Sequence, residues 1–250
     1  MISIIIPTYN NLELFKRAYN SILLQSIKDV EIIVVDDSST SDIENFCMSL
    51  PIRYYHNKPA WGAVRNWNKG LSLAIGEYII IMHHDEAMKG ASFIDKVQEK
   101  LEKGYDVVVS NIEVHRGNSI RRGLCPNWMK EIFLKHSELL LIRNLIGPCA
   151  CLAFRKDKVV SFDDKLKWTV DKEWYFRLLK DTKCISLPNN WIMSLHGHAE
   201  QITVNLNVSA QAKLDYLYMK EKYRGNLKVI CCLKMMKLLD KIIGIVKAHG

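Results

Sequence analysis

The chain predicts an α/β fold: a mostly parallel sheet flanked by helices, followed by a helical C-terminal extension. Three observations carry this. Short continuous runs rich in β-branched residues, Ile2 to Ile6, Val30 to Val35 and Tyr78 to Met82, read as strands buried on both faces. Segments of helical period lie between them, and such alternation builds a parallel sheet through right-handed crossovers. Each run also stops in polar residues: Pro7-Thr8-Tyr9-Asn10, Asp36-Asp37-Ser38-Ser39 and His83-His84-Asp85-Glu86. Ligands of open α/β sheets bind at the carboxyl ends of the strands, so the three clusters predict one cleft.

In chain order, Asn10 or Asn11 caps a first helix whose apolar stripe is Leu12, Phe15, Tyr19, Ile22 and Leu23. Ser41 or Asp42 caps a short second helix, and Ile52 to Tyr55 is the next strand. Trp61 to Ile75 reads as a helix ended by Gly76. Ser92 to Lys103 is an amphipathic helix and Tyr105 to Ser110 a strand. Arg116 to Asn127 is polar and basic and reads as a mobile loop. Leu139 to Ile146 is apolar, interrupted by Arg143; Cys149 to Phe154 reads as a strand and Val170 to Leu179 as a helix. Lys183 to Leu187 and Trp191 to Leu195 read as two strands, the second running into His196-Gly197-His198. Gly225-Asn226 is the one late boundary signal.

At 250 residues, 48% hydrophobic and 25% charged, the chain has ordinary globular composition and can bury a full core. Its seven cysteines are odd in number and show no C-x-x-C pair, which argues against a disulfide framework or zinc site and for a reducing compartment. The apolar start lacks basic residues and stops at Pro7, so it reads as a strand and not a leader. No run approaches the length of a membrane span. The formal charge is +8, and +6 of it lies in the last 38 residues. The nearly neutral body argues against a nucleic-acid surface spread over the fold.

Asp85 is the first candidate for chemistry, as an oxygen ligand of a divalent cation at a strand end. A solvated turn explains the same residues structurally. Asp171 opens a helix, where a carboxylate is also a favourable partner of the helix dipole. In the tail, Val229, Leu233, Met236, Leu239, Ile243 and Val246 share one helical face, and Lys234, Lys237, Lys241 and Lys247 the other. That pattern fits an anionic membrane surface, or a helix packed on the body with its lysines in water.

Taken together, the motifs resemble family 2 glycosyltransferases, inverting sugar-nucleotide transferases of the GT-A fold, over about residues 1 to 200. The resemblance rests on Ile4-Ile5-Ile6-Pro7-Thr8-Tyr9-Asn10, Glu31 to Ser39, Asn66-Trp67-Asn68 with Ala74-Ile75-Gly76-Glu77-Tyr78, and His83-His84-Asp85 at the family's Asp-x-Asp position. It continues in Asp171 with Glu173 and Arg177, and in His196 about 20 residues later. The resemblance implies a nucleotide-sugar half over residues 1–110 and an acceptor-binding and catalytic half over 111–205; the basic amphipathic extension over 206–250 is read from its own periodicity. It assigns the nucleotide to Pro7, Thr8, Tyr9, Asn10, Asp36 and Asp37, with Asp37 favoured for the ribose and Asp36 for the fold. Arg65 and Asn68 are candidates for the diphosphate. Asp85 and His196 are candidates for the metal, Mn²⁺ or Mg²⁺; His196 alternatively reaches the diphosphate. His83 and His84 replace the family's earlier carboxylates, and each is open as a metal ligand or a donor contact. Asp171 is the implied general base and Glu173 the fallback.

The implied reaction moves a sugar, UDP-linked by default, to a polyprenyl-diphosphate-linked or growing bacterial surface glycan such as O-antigen or capsule. The implied location is cytoplasmic, peripheral on the inner face of the plasma membrane, through the C-terminal helix. No nucleic acid is implied, and a homodimer is left open. Two alternatives stand: a dTDP- or CDP-sugar transferase with weak metal need, and an inactive nucleotide-sugar-binding subunit of a glycan-assembly complex.

Overall fold

The computed structural model of the chain describes residues 1–27, 29–199 and 206–249, with residues 243–249 described by backbone alone. Strands β1 (Ile2–Thr8), β2 (Val30–Asp36), β3 (Arg53–His56) and β4 (Tyr78–Ile81) pair in parallel in the order β3-β2-β1-β4. Helices α1 (Leu12–Leu23), α2 (Asp42–Cys47) and α3 (Ala63–Leu73) link them. All of β1 and β4 is buried, as their unbroken apolar runs require. The register sets Thr8 beside Asp36 and Asp36 beside His56, so the polar ends of these strands reach one level.

Asn11 caps α1 by accepting from the Leu14 N–H at 3.0 Å. Asn10 does other work: at φ +50° its N–H donates to Ser38 Oγ at 2.7 Å, and its Oδ1 accepts from the Ser39 N–H at 2.8 Å. The two cleft loops are thereby tied together. Leu23, expected in the α1 stripe, faces solvent.

Beyond β4 the sheet continues through β8 (Leu152–Arg155), β6 (Val107–Arg116), β9 (Cys184–His196) and β5 (Glu86–Met88). β8 is antiparallel to both β4 and β6, β9 is parallel to β6, and β5 is antiparallel to β9. The sheet is thus parallel on one side of β4 and mixed on the other. Helices α4 (Phe93–Glu102), α5 (Asn127–Lys135) and α6 (Val170–Leu179) belong to this half, and α7 (Val208–Lys222) and α8 (Leu227–His249) close the chain.

Several expectations are corrected. Within Arg116 to Asn127, strand β7 (Ser119–Arg122) turns back on β6 through Gly117 at φ +54°, so most of that loop is a hairpin. Cys149–Cys151 is a 3₁₀ turn closed by the Cys151 N–H on the Pro148 carbonyl at 3.0 Å; only Leu152–Arg155 is strand. The two late strands are one strand, β9, whose pairing with β6 shifts register between Ser110 and Asn111. The third helix ends at Leu73, with Ala74 already extended. Gly76 is needed for a different reason: a Cβ there would stand 2.7 Å from the Ser3 amide nitrogen.

The first part of the predicted membrane face is also corrected. Val229, Leu233 and Met236, with Cys232, are buried against the body, leaving Leu238 and Ile242 half-exposed beyond them. The Ile243, Val246 and Lys247 side chains of that pattern lie outside the described residues, as do residues 200–205 before the predicted extension. Among the described residues no helix is long and apolar enough to cross a membrane.

One helix position tests the packing directly. Gly70 lies in α3 against β1, and a Cβ there would stand 2.3 Å from Ile5 Cγ2. Glycine to alanine inside a helix ordinarily gains about 1 kcal/mol. Here Ile5 is fully buried and β-branched, so its methyl has little room to turn away. Gly70→Ala is expected to lose roughly 1–3 kcal/mol, read in urea as a lower midpoint with an unchanged slope.

Candidate active site

The strand ends open into a cleft of about 780 Å³, within the usual range for small-ligand sites. At one end stand Pro7, Thr8, Tyr9 and Asp37, where β1 and β2 run out. Thr8 Oγ1 donates to Asp36 Oδ1 at 2.9 Å, the Ser38 N–H donates to the same oxygen at 2.9 Å, and Tyr54 OH donates to Oδ2 at 2.7 Å. Asp36 is fully buried and outside the cleft lining, engaged in holding three segments together. Asp37 lines the cleft. Its Oδ1 accepts from Asn57 Nδ2 at 2.8 Å and from the Trp61 N–H at 3.1 Å. Asn57 also donates to Asn66 Oδ1 at 2.9 Å, and Asn66 Nδ2 donates to the Val35 carbonyl at 2.8 Å. Tyr9 is 46% exposed, presenting an open ring at this end.

His83, His84 and Asp85, in the turn between β4 and β5, and Glu86, the first residue of β5, all line the cleft. Glu86 Oε2 accepts from the His83 N–H at 2.8 Å, and its Oε1 stands 3.3 Å from His83 Nδ1. Burial opposes charge on both members of this pair. It pushes Glu86 up, while the carboxylates of Glu86, Asp85 and Asp171 overcome it at His83 and raise that imidazole to about 9. These carboxylates hold His83 toward its imidazolium form. The Trp67 ring packs 4.9 Å from it, centroid to centroid.

His84 differs. Burial pushes its pKa down, so its ring is neutral. Its Nδ1 lies 3.4 Å from the Pro7 carbonyl, and its Nε2 is buried with no hydrogen-bond partner among the described residues. Asp85 Oδ2 stands 3.2 Å from His198 Nε2. Burial opposes charge on Asp85, but His198 and the neighbouring imidazoles outweigh it and hold the carboxyl below its ordinary value.

Asp171, the second residue of α6, also lines the cleft. Burial pushes its pKa up, and the Cys149 thiol donates to its Oδ1 at 3.8 Å. The helix start that carries it is held from α7. Asp215 Oδ2 accepts from the Trp168 N–H at 2.8 Å, the Thr169 N–H at 2.7 Å and Thr169 Oγ1 at 3.1 Å. Thr169 is the residue before α6, and its own side chain makes no cap bond, so the buried aspartate from another helix pins the turn that leads into α6.

Not every expected residue belongs here. Glu173 is fully buried and outside the cleft, bound by Arg177 through two bonds of 2.7 Å and by Lys222 Nζ at 2.7 Å. Two positions along a helix turn a side chain through roughly 200°, so Glu173 cannot share the outlook of Asp171. Arg65 pairs with Asp164 at 3.1 Å, and Asn68 bonds both backbone groups of Phe162 at 2.9 and 2.8 Å; neither lines the cleft. Asn10 serves the loop pairing described above. His196 lines the cleft, its pKa lowered by burial, but His198 is the imidazole on Asp85. Gly197, at φ +94°, bends the chain between them and so breaks the alternation read from the strand. Asp215 and Asn57 were not foreseen, and no local sequence signal marks them.

The architecture is that of GT-A nucleotide-sugar transferases, and the comparisons agree. Residues 3–161 match the family model described as Glycosyl transferase family 2, and the chain belongs to that family. It is 30% identical over 211 residues to an uncharacterized glycosyltransferase of Rickettsia conorii, covering 80% of this chain and 35% of that protein. It is 32% identical over 128 residues to the GalNAc(5)-diNAcBac-PP-undecaprenol beta-1,3-glucosyltransferase of Campylobacter jejuni, covering 48% of this chain and 41% of that one. The matches thus span well under half the length of these relatives. Among solved structures, S. aureus TarS 1-349 in complex with UDP-GlcNAc superposes with a TM-score of 0.71 at 16% identity, covering 94% of this chain and 70% of that one. GalNAc-T7 with UDP, GalNAc and Mn²⁺ gives 0.62 at 12% identity, covering 79% and 44%. These two likenesses show the fold.

Glu173 gives a pH test of its structural role. Burial alone would raise its pKa, but hydrogen bonds from Arg177, Lys222 and Tyr223 hold it below the ordinary 4.5. A carboxylate depressed in the folded state stabilises fully above its unfolded pKa and loses that contribution as pH falls through the folded value. Glu173→Gln is therefore expected to cost roughly 3–5 kcal/mol at neutral pH. The gap to wild type should close on acidification below 4.5, as read in urea melts across pH.

Proposed function

We propose that this chain transfers a sugar from a nucleotide-sugar donor, UDP-linked by default, to a hydroxyl of a glycan or lipid-linked acceptor, with inversion. The observation that carries the reading is the joint presence of Asp37, Asp85 and Asp171 in one cleft, at three strand or helix ends. Thr8, Tyr9 and Asp37 receive the nucleoside. The His83 imidazolium faces the diphosphate as a charge-assisted donor. Asp171 takes the acceptor hydroxyl proton as the new C–O bond forms at the anomeric carbon. The bond from that carbon to the diphosphate breaks, and its electrons leave with the nucleoside diphosphate. A carboxylate raised by burial is a stronger base than one in water, which suits it to this step.

A divalent metal fits the residues at Asp85. The Asp85 carboxylate and the His198 imidazole, 3.2 Å apart, are oxygen and nitrogen groups of the kind that would hold such an ion. The buried, unpartnered Nε2 of neutral His84 is a further available donor. When bound, the metal neutralises charge on the leaving diphosphate. Among the described residues no three His, Cys, Asp or Glu side chains converge as a complete metal site, so substrate oxygens would finish the set. The imidazoles His83 and His84 at positions where the family has carboxylates favour the second reading, a dTDP- or CDP-sugar transferase with weak metal need.

The surface-glycan acceptor and the peripheral inner-membrane location are part of the proposal. Support comes from the Campylobacter relative's undecaprenol-linked substrate and from the half-exposed Leu238 and Ile242 beside Lys234, Lys237 and Lys241.

The test is nucleotide release from UDP-, GDP-, dTDP- and CDP-sugars, with Mn²⁺ or EDTA. One donor is expected to release nucleotide, about 10²–10⁴-fold more slowly in Asp171→Asn and with metal stimulation lost in Asp85→Ala. The acid limb of the rate profile should fall above 3.8, the ordinary aspartate value, and should vanish in Asp171→Asn. Nucleotide binding without turnover, even with lipid-linked acceptor extracts, would overturn the reading in favour of an inactive binding subunit.

A further inference from the structure

Beyond Asp85 the cleft is walled by β7, β6 and β9. Register and alternation divide their side chains between two faces. Val114 stands opposite Arg121 on β7 and Ser194 on β9, and Arg116 stands opposite His196. Val114, Arg121, Ser194 and His196 all line the cleft, so this is the face turned toward it. The other face carries Glu113, which is saturated with cations. Arg122 Nε donates to it at 2.7 Å, Lys89 Nζ donates at 2.9 Å, and His115 Nε2 stands 2.7 Å away. Arg116 and Arg121 have no carboxylate partner among the described residues. One face thus gathers its cations around a carboxylate, whereas on the other, among the described residues, Arg121 in the cleft lining and Arg116, nearer the hairpin tip and outside that lining, have none.

Two such groups call for an anion of about two charges, and guanidinium forks match phosphate oxygens in geometry as well as charge. The position matters too. The nucleoside end of the cleft lies at β1 and β2, whereas β6 and β9 lie on the opposite side of β4 in the sheet order. Asp85, following β4, stands between the two ends. Ile112, Val114 and Leu124 line the cleft on the hairpin side, so an anion held there meets apolar walls.

We infer that Arg121 and Arg116 form a binding site for a phosphate or diphosphate group borne by the acceptor, with the apolar walls taking the adjoining hydrocarbon. This rests on the glycosyl-transfer reading above and specifies its acceptor side. The same phosphate chemistry could come from the donor, and the experiment separates the two sources.

Geranyl diphosphate is titrated calorimetrically into UDP-saturated protein, with geraniol as the uncharged control. Geranyl diphosphate is expected to bind without displacing UDP, and geraniol at least about 10-fold more weakly. Arg121→Gln and Arg116→Gln should each weaken geranyl diphosphate by roughly 10-fold and leave UDP affinity unchanged. Arg122→Gln removes one charge from the same hairpin but from its Glu113 face, and should match wild type. Competitive displacement by UDP would assign the arginines to the donor and overturn the inference. So would equal binding of geraniol, or wild-type affinity in Arg121→Gln and Arg116→Gln. If UDP itself does not bind, the donor reading falls. Geranyl diphosphate binding and its loss in Arg121→Gln then decide the anion site alone.

Discussion

The constraint on which the rest depends is parallel pairing of strands buried on both faces. A strand such as Ile2–Thr8 has no access to water along its length, so every backbone polar group must find its partner in the neighbouring strands. Pairing in register then brings the strand ends to a common level. Thr8, Tyr9, Asp37 and His83 to Glu86 therefore line one cleft, with Asp36 buried behind it. The cleft is a consequence of that geometry before any ligand is considered.

Within the cleft, neighbours in sequence have opposite tasks because their surroundings differ. Asp36 is surrounded by donors and spends its oxygens on the fold, while Asp37 faces the open space. His83 sits among carboxylates and carries a proton; His84 is buried against a backbone carbonyl and stays neutral. Asp171 lies open to the cleft, and Glu173, two positions on, is locked to Arg177 and Lys222. A buried carboxylate with two cations is held in its ionised form, whereas one short of donors has a raised proton affinity, which makes it the stronger base.

The C-terminal helices contribute to the site without touching the cleft's polar floor. Asp215 on α7 receives the backbone N–H groups before α6, and Lys222 and Tyr223 close on Glu173. The start of α6, with Asp171, is therefore braced from a segment more than 40 residues away in sequence. The buried part of α8 completes this packing through Val229, Leu233 and Met236, which is why those residues are not free for a membrane.

The sequence by itself determined the parallel half of the fold, the cleft, and the candidacy of Asp37, Asp85 and Asp171, because apolar runs and the residues that end them are local signals. Periodicity also marked α6 at its observed limits. Only the tertiary structure gave the adjacent His83 and His84 their opposite surroundings and turned Glu173 away from the cleft that Asp171 lines. It alone turned the basic stretch after Arg116 into a hairpin whose Arg122 pairs with Glu113 on one face while Arg121 turns to the cleft on the other. It alone put His198 on Asp85 and Asp215 beneath α6. Those outcomes depend on partners distant in the chain and on single turns such as Gly197. No local pattern encodes which oxygen or nitrogen will find its bond elsewhere.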